Sequence, residues 1–150
     1  MNREQARVTA VRRSVRRQVE RIGRGAEAIV MLTIASAAAS LSPARRVSVL
    51  MGHVVCEVPT EPALMRDELQ RATSASNAIR RAAALLPWHP TCLRQAIALR
   101  WMLRRRGITC HGHLGVGSLE PFEAHAWITA GGRVIHGGPT DHITHLATLG

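Results

Sequence analysis

The sequence has no lysine and no tyrosine, and Phe122 is its single phenylalanine. Aromatic residues make up 3% of the 150 residues, although the net charge is +10. Proteins that bind nucleic acids through a basic surface commonly place aromatic side chains among the positive charges, because bases stack on them. The arginine-rich segment 1–24 contains no aromatic residue. We therefore expect no nucleic-acid binding.

Cysteine is also scarce. The three cysteines, Cys56, Cys92 and Cys110, cannot all pair within one chain. An odd number of thiols in a chain of this length is typical of a reducing compartment. We therefore expect a cytoplasmic protein with at least one functional or buried thiol.

No apolar run is long enough for a membrane span. The longest one, residues 28–41, is too short to cross a bilayer as a helix. The region before it is too long for a signal peptide and contains Glu20 and Glu27. This run predicts a buried core helix.

The first part of the chain has helical periodicity. Apolar residues recur at intervals of three and four over residues 8–22, with arginines off this face. Gly23 and Gly25 are expected to end the helix. Residues 1–25 are thus predicted to form a basic amphipathic extension, and residues 26–150 one domain. The extension could pack on the domain, dock a recognition protein or an acidic precursor, or lie on a membrane surface. The membrane surface is the least favoured of the three, because the apolar face has valines but no tryptophan or phenylalanine.

The rest of the chain predicts helices followed by strands. Further helices are expected over 26–41, 45–55, 63–86 and 92–106, separated by proline and glycine. From residue 108 apolar and polar residues alternate, which is typical of strands, and Gly131-Gly132 is a hairpin signal. This order predicts an α+β domain with N-terminal helices and a small antiparallel sheet.

Cys92 is the candidate nucleophile. It follows Pro90 and Thr91, and Thr91 is expected to cap the helix that begins there. Unpaired N–H groups and the helix dipole favour a thiolate at such a position.

His125 is the candidate general base. It lies on a predicted strand between Ala124 and Ala126, and Trp127 shares its face. A cysteine at a helix start and a histidine on a packed strand form the arrangement of papain-like catalysis. On spacing alone, a buried structural Cys92 and a strand histidine without catalytic role stay equally possible.

A family resemblance rests on five short motifs, which are TCLRQA (91–96), LRRRGI (103–108), LGV (114–116), AHAW (124–127) and GRV (132–134). Together they resemble the lasso-peptide leader peptidases, the protease half of the lasso B protein. That family belongs to the transglutaminase-like superfamily of papain-type folds. The similarity covers roughly residues 64–150.

The resemblance implies a cytoplasmic cysteine peptidase that needs no cofactor and removes the leader from a ribosomally made lasso-peptide precursor. Its implied partners are the precursor peptide, a leader-recognition protein and an asparagine-synthetase-like cyclase. Full-length members carry a recognition domain ahead of the protease. No such domain is evident in this sequence, so we expect a stand-alone protease.

One position departs from the family pattern. The family has an aspartate on the strand after the histidine, about where Gly137 stands. A regular hairpin would place Gly138 opposite His125, with His136 diagonal on the same face. Asp141, His136 or a backbone carbonyl could orient His125, and we favour Asp141.

Three further residues are expected to contact the peptide substrate. Trp127 shares the predicted face of His125, His113 lies on the preceding strand, and His136 lies on the following one.

Two other classes of function stay open. His111 and His113 lie on one face of a strand and, with Cys92 and Cys110, could bind zinc. The sequence has no Cys-x-x-Cys or His-Glu-x-x-His motif, so these histidines are more simply solvent-facing or part of the substrate groove. Alternatively, the missing acid at Gly137 could mark a domain that binds peptides without cleaving them.

Overall fold

A computed structural model describes residues 3–43, 49–55, 61–119 and 122–150. The elements in chain order are α1 (Arg3–Leu41), β1 (Val54–Val55), α2 (Arg66–Leu85), α3 (Cys92–Arg104), β2 (His111–Leu119), β3 (Phe122–Ala130), β4 (Arg133–His136) and β5 (Thr144–Leu149). The five strands form one antiparallel sheet in the order β1-β5-β2-β3-β4. The predicted α+β architecture is confirmed.

Helix α1 runs without a break through Gly23 and Gly25, so the predicted helix end at these residues is wrong. A glycine inside a helix costs only about 1 kcal/mol relative to alanine. Good helix formers on both sides outweigh that cost. The basic segment and the apolar segment are therefore one helix, and residue 25 marks no boundary between elements.

The two ends of α1 have different surroundings. The apolar residues of its N-terminal half are exposed, with values from 50% for Val8 to 63% for Ile22. In the C-terminal half, Leu32 is fully buried and packs in the core with α2 and α3. An ion pair of 2.5 Å between Glu27 Oε2 and Arg106 Nη2 ties α1 to the end of α3. By length and composition alone α1 could cross a membrane, a test that core helices of soluble proteins and N-terminal signal sequences also pass.

The hydrophobic core lies between the three helices and one face of the sheet. Its largest fully buried side chains are Leu32, Met51, Ile79, Ile97, Leu99, Met102, Leu103, Ile128 and Leu149. Arg100 is also buried, and its Nη1 donates a hydrogen bond of 2.8 Å to the carbonyl of Leu149. This bond joins α3 to the end of β5 and so sets the helix against the sheet.

The helices predicted over 63–86 and 92–106 correspond to α2 and α3. The turn after α3 contains Gly107 with φ +66°, a conformation that favours glycine. The helix predicted over 45–55 is only partly found, since residues 49–51 are helical while Val54–Val55 form β1. Residues 44–48 and Cys56 lie outside the described part of the chain.

A β-bulge changes the predicted register between β3 and β4. Ala130 pairs with Arg133 as expected, but beyond the bulge Ile128 pairs with His136. The extra residue moves His136 to the face of Ile128, which points toward the helices. The prediction that His136 shares a face with His125 is therefore wrong.

The face of the sheet that points away from the helices is also covered. His111 and His113 are each 7% exposed, so the expectation that they face solvent is wrong. The segment before α2 covers this face because Glu61 bonds to His111 and Leu64 lies against Gly131. The alternating apolar and polar residues of β2 therefore lie on two faces that are both covered, not on one buried and one exposed face.

Candidate active site

Cys92 is the first residue of α3 and is half-buried, so the predicted helix start is confirmed. Thr91 has the extended backbone of an N-cap, but its side chain makes no capping hydrogen bond. Gln95 Nε2 instead donates a hydrogen bond of 2.7 Å to the carbonyl of Pro90. This bond holds the chain that leads into the helix and so positions the thiol.

The thiol contacts the strand that carries His125. Cys92 Sγ lies 3.8 Å from the carbonyl oxygen of Ala124, the residue before His125. His125 is half-buried. The structure therefore brings the start of α3 to the part of β3 that holds the candidate base. Within the described residues, the hydrogen bonds of the thiol and the imidazole go to backbone carbonyls and not to each other.

The carbonyl of Gly137 orients His125. Its oxygen accepts a hydrogen bond from His125 Nε2. Because a carbonyl can only accept, the bonded nitrogen carries the proton. Nδ1 is then the unprotonated, basic nitrogen. A backbone carbonyl thus occupies the orienting role that the family gives to an aspartate, which is one of the alternatives open from the sequence.

The backbone explains why residue 137 is glycine. Its φ is +85°. A Cβ atom at this position would lie 2.7 Å from the carbonyl oxygen of Ala126 and 2.8 Å from Cβ of Trp127. No aspartate fits here unless the backbone shifts.

Asp141 is not brought to His125. It lies in an exposed turn before β5, and no hydrogen bond or ion pair joins it to His125 in the part of the chain that the structure describes. The favoured third member of a triad therefore has no contact to support it, and its catalytic role stays a prediction.

His136 faces the helices. Its Nδ1 lies 3.0 Å from Ser76 Oγ on α2, and Ser76 donates its own proton to the carbonyl of Ile135. His136 Nδ1 must therefore donate to Ser76. Burial, together with the nearby charges of Arg80 and His125, lowers the pKa of His136 to about 4. His136 is held as a neutral group behind the site.

Trp127 lies between two histidines. Its ring stacks on His113 with centroids 5.2 Å apart and on His125 with centroids 6.1 Å apart. Trp127 and His113 are only 6% and 7% exposed. These rings support the His125 side chain from behind, and the predicted contact of Trp127, His113 and His136 with substrate stays a prediction.

The second described thiol has different properties. Cys110 is 6% exposed and packs in the core. Burial raises the pKa of Cys110 to about 11, so it is protonated and unreactive at neutral pH. Of the thiols that the structure describes, Cys92 alone lies at a helix start.

Glu61 forms a buried polar cluster that the sequence did not indicate. Its carboxylate accepts hydrogen bonds from His111 Nδ1 at 2.5 Å, Thr129 Oγ1 at 2.8 Å and the N–H of Gly132 at 2.6 Å. Burial raises the pKa of Glu61, but these hydrogen bonds outweigh it and leave the pKa below its usual value. A glutamate near the start of a predicted helix gives no sign of partners that are 50 to 71 residues away.

The zinc ligands suggested by the sequence are not assembled. His111 bonds to Glu61, whereas His113 bonds to Thr129 and approaches His145. Burial lowers the pKa of His113 to about 4, with a further contribution from His145. Among the described residues, no three histidine, cysteine, aspartate or glutamate side chains converge on a possible metal position.

A helix that begins with a thiol lies against an antiparallel strand that carries a backbone-anchored histidine, within an α+β domain whose helices precede the sheet. The family profile described as the transglutaminase-like superfamily matches residues 28–148. The chain therefore belongs to the transglutaminase-like superfamily, whose members are commonly similar to cysteine proteases. No curated protein and no solved structure matched the chain significantly.

Proposed function

We propose that this protein is a cysteine peptidase that removes the leader from a lasso-peptide precursor. The observation that carries the proposal is the contact of Cys92, at the start of α3, with the backbone of Ala124 beside His125. The Gly137 carbonyl holds the same imidazole through Nε2. In this proposal the start of α3 supplies the nucleophile, β3 supplies the base, and the residue after β4 supplies the carbonyl that orients it.

This arrangement can perform acyl transfer to water. His125 Nδ1 takes the proton of Cys92, and the thiolate attacks the carbonyl carbon of the last leader residue. The C–N bond breaks, and the imidazolium returns its proton to the leaving amine. His125 then takes a proton from water, and the resulting hydroxide cleaves the thioester to release the leader carboxylate and the thiol.

The backbone N–H of Cys92 is the first candidate donor for the oxyanion. N–H groups in the first turn of a helix have no partner within the helix. A donor fixed in this way stabilises the negative charge that develops on the carbonyl oxygen.

The choice of substrate rests on the motifs around Cys92, Arg106, His125 and Arg133, which resemble the leader peptidases. The same resemblance suggests that a leader-recognition protein presents the precursor in the cytoplasm. An asparagine-synthetase-like cyclase would then join the freed amine to a side-chain carboxylate.

Reconstitution with purified components tests this function. The full chain, a precursor peptide and the recognition protein are incubated together, and the products are followed by mass spectrometry. We expect a leader fragment and a core fragment whose summed mass exceeds that of the precursor by one water. We expect no fragments with Cys92→Ala. Unchanged cleavage by Cys92→Ala, or no cleavage by the wild-type chain in the complete mixture, would refute the proposal.

A domain that binds peptides without cleaving them is the second candidate. The absence of a side-chain acid at Gly137 favours it, because a carbonyl supports an imidazolium less strongly than a carboxylate does. In the same mixture this candidate predicts that the precursor binds the wild-type chain and stays intact. Binding can be measured by fluorescence anisotropy of a labelled precursor.

A further inference from the structure

Three donor atoms converge on the face of the sheet that points away from the helices. They are His113 Nδ1, His145 Nε2 and Thr148 Oγ1. The two ring nitrogens are 3.3 Å apart, and the hydroxyl oxygen lies 3.2 Å from His113 Nδ1 and 3.1 Å from His145 Nε2. The three atoms thus form a nearly equilateral triangle.

The sheet itself builds this triangle. His113 on β2 pairs directly with Thr148 on β5, so both side chains lie on the same face. A bulge in β5 then places His145, instead of Leu146, opposite Gly115. Leu146 is 64% exposed, whereas the bulge turns His145 toward His113.

Hydrogen bonds determine which ring nitrogen of His113 is unprotonated. The Glu61 carboxylate can only accept, so Thr129 donates its hydroxyl proton to it. The Thr129 oxygen must then accept from His113 Nε2, which lies 2.8 Å away. His113 Nδ1 therefore carries a lone pair rather than a proton, and this lone pair belongs to the triangle.

The geometry of the triangle matches that of a metal site. A zinc-type ion binds imidazole nitrogen at about 2.0–2.1 Å, so the ligand atoms of a tetrahedral site lie about 3.3–3.4 Å apart. Metal-binding histidines typically donate their other N–H to an oxygen acceptor that fixes the tautomer. The Glu61–Thr129–His113 chain has this form.

We propose that His113, His145 and Thr148 bind one zinc-type divalent ion on the outer face of the sheet. Water would fill the fourth position, because His145 is exposed and leaves the triangle open to solvent. The ion would join β2 to β5 and hold the His113 ring against Trp127. The site differs from the one suggested by the sequence, since His111, Cys92 and Cys110 take no part.

Metal titration of the full chain tests this proposal. After treatment with a chelator and removal of any affinity tag, zinc is added in a calorimeter. Cobalt is used in parallel because its visible absorption reports tetrahedral coordination. We expect one equivalent of zinc to bind with a saturable isotherm, a cobalt spectrum typical of tetrahedral coordination, and a raised melting temperature.

His145→Ala is the decisive variant because its side chain is exposed, so we expect the variant to fold. It should weaken zinc binding by at least about tenfold, and His113→Ala should do the same if it folds. His142→Ala, another exposed histidine close in sequence, is the matched control and should leave the affinity unchanged. Thr129→Val keeps all three donor atoms and should weaken binding about tenfold by removing the tautomer lock.

Two results would overturn the site. One is the absence of stoichiometric zinc binding by the wild-type chain. The other is an equal affinity of the wild-type chain and His145→Ala, which would mean that the three side chains form only a hydrogen-bonded cluster.

Discussion

The two faces of the sheet are both covered, yet they are built from different residues. Ala126, Ile128 and Ala130 point toward the helices and are almost completely buried in the apolar core. His113 and Trp127 lie on the opposite face, in a layer of rings and hydrogen bonds. The apolar face supplies stability through burial. The hydrogen bonds of the polar face fix the orientation of its rings and the positions of their protons.

The largest expected effect concerns the two thiols, one beside the strand of His125 and one inside the apolar core. Cys92→Ala should reduce leader cleavage at least about a thousandfold, because the nucleophile is lost. Cys110→Ala should keep the rate within about twofold and lower the free energy of unfolding by about 1 kcal/mol. Rates come from mass spectrometry, and stabilities from urea unfolding. Equal losses of rate in both variants would contradict the assignment.

The second prediction concerns Gly137, whose carbonyl anchors His125. Gly137→Ala should lower the free energy of unfolding by about 3 kcal/mol, since it combines a positive φ with a close approach to Trp127. Gly132→Ala has a similar φ of +71° but open space around it, and should cost only about 1 kcal/mol. The difference between their losses of unfolding free energy measures the cost of the close approach to Trp127. Gly137→Asp, which restores the acid of the family, should be at least as destabilised as Gly137→Ala.

The third prediction concerns His136, a buried titratable group on the face of the sheet that points toward the helices. Its pKa is lowered to about 4 by burial, so between pH 4 and 6.5 the unfolded chain binds the proton more readily. Its contribution to stability is therefore complete above about pH 6.5 and lost as the pH falls toward 4. Between pH 7 and pH 5 this loss is about 2 kcal/mol.

His136→Asn should remove that part of the pH dependence, and the exposed His142→Asn should leave it unchanged. Chemical unfolding at pH 7 and pH 5 measures both. If His136→Asn loses stability with the same slope as the wild-type chain, His136 is not the buried neutral group that the structure shows.

The smallest expected effect concerns Asp141. Because the Gly137 carbonyl already holds His125 and Asp141 is exposed, Asp141→Asn should change kcat by less than about threefold. A decrease of tenfold or more would mean that Asp141 reaches His125 when the substrate is bound, as the sequence led us to expect.

Much of the site could be predicted because its signals are local. Pro90 and Thr91 ahead of an apolar helix predicted the position of Cys92, and the alternation around His125 predicted its strand. Such signals depend on neighbours a few residues away, so a single chain displays them. The extent of α1 was not predicted, because two glycines weaken a helix without ending it.

The sequence by itself therefore determined which residues could be nucleophile and base, and that helices precede an antiparallel sheet. Tertiary structure alone decided what orients His125, on which face His136 lies, and that His113 meets His145. Each of these depends on a β-bulge or on a partner far along the chain, such as Glu61 for His111 and Thr129. One inserted residue reverses the face of every side chain beyond it. No local pattern records that reversal, because the packing of the whole sheet decides where the extra residue is accommodated.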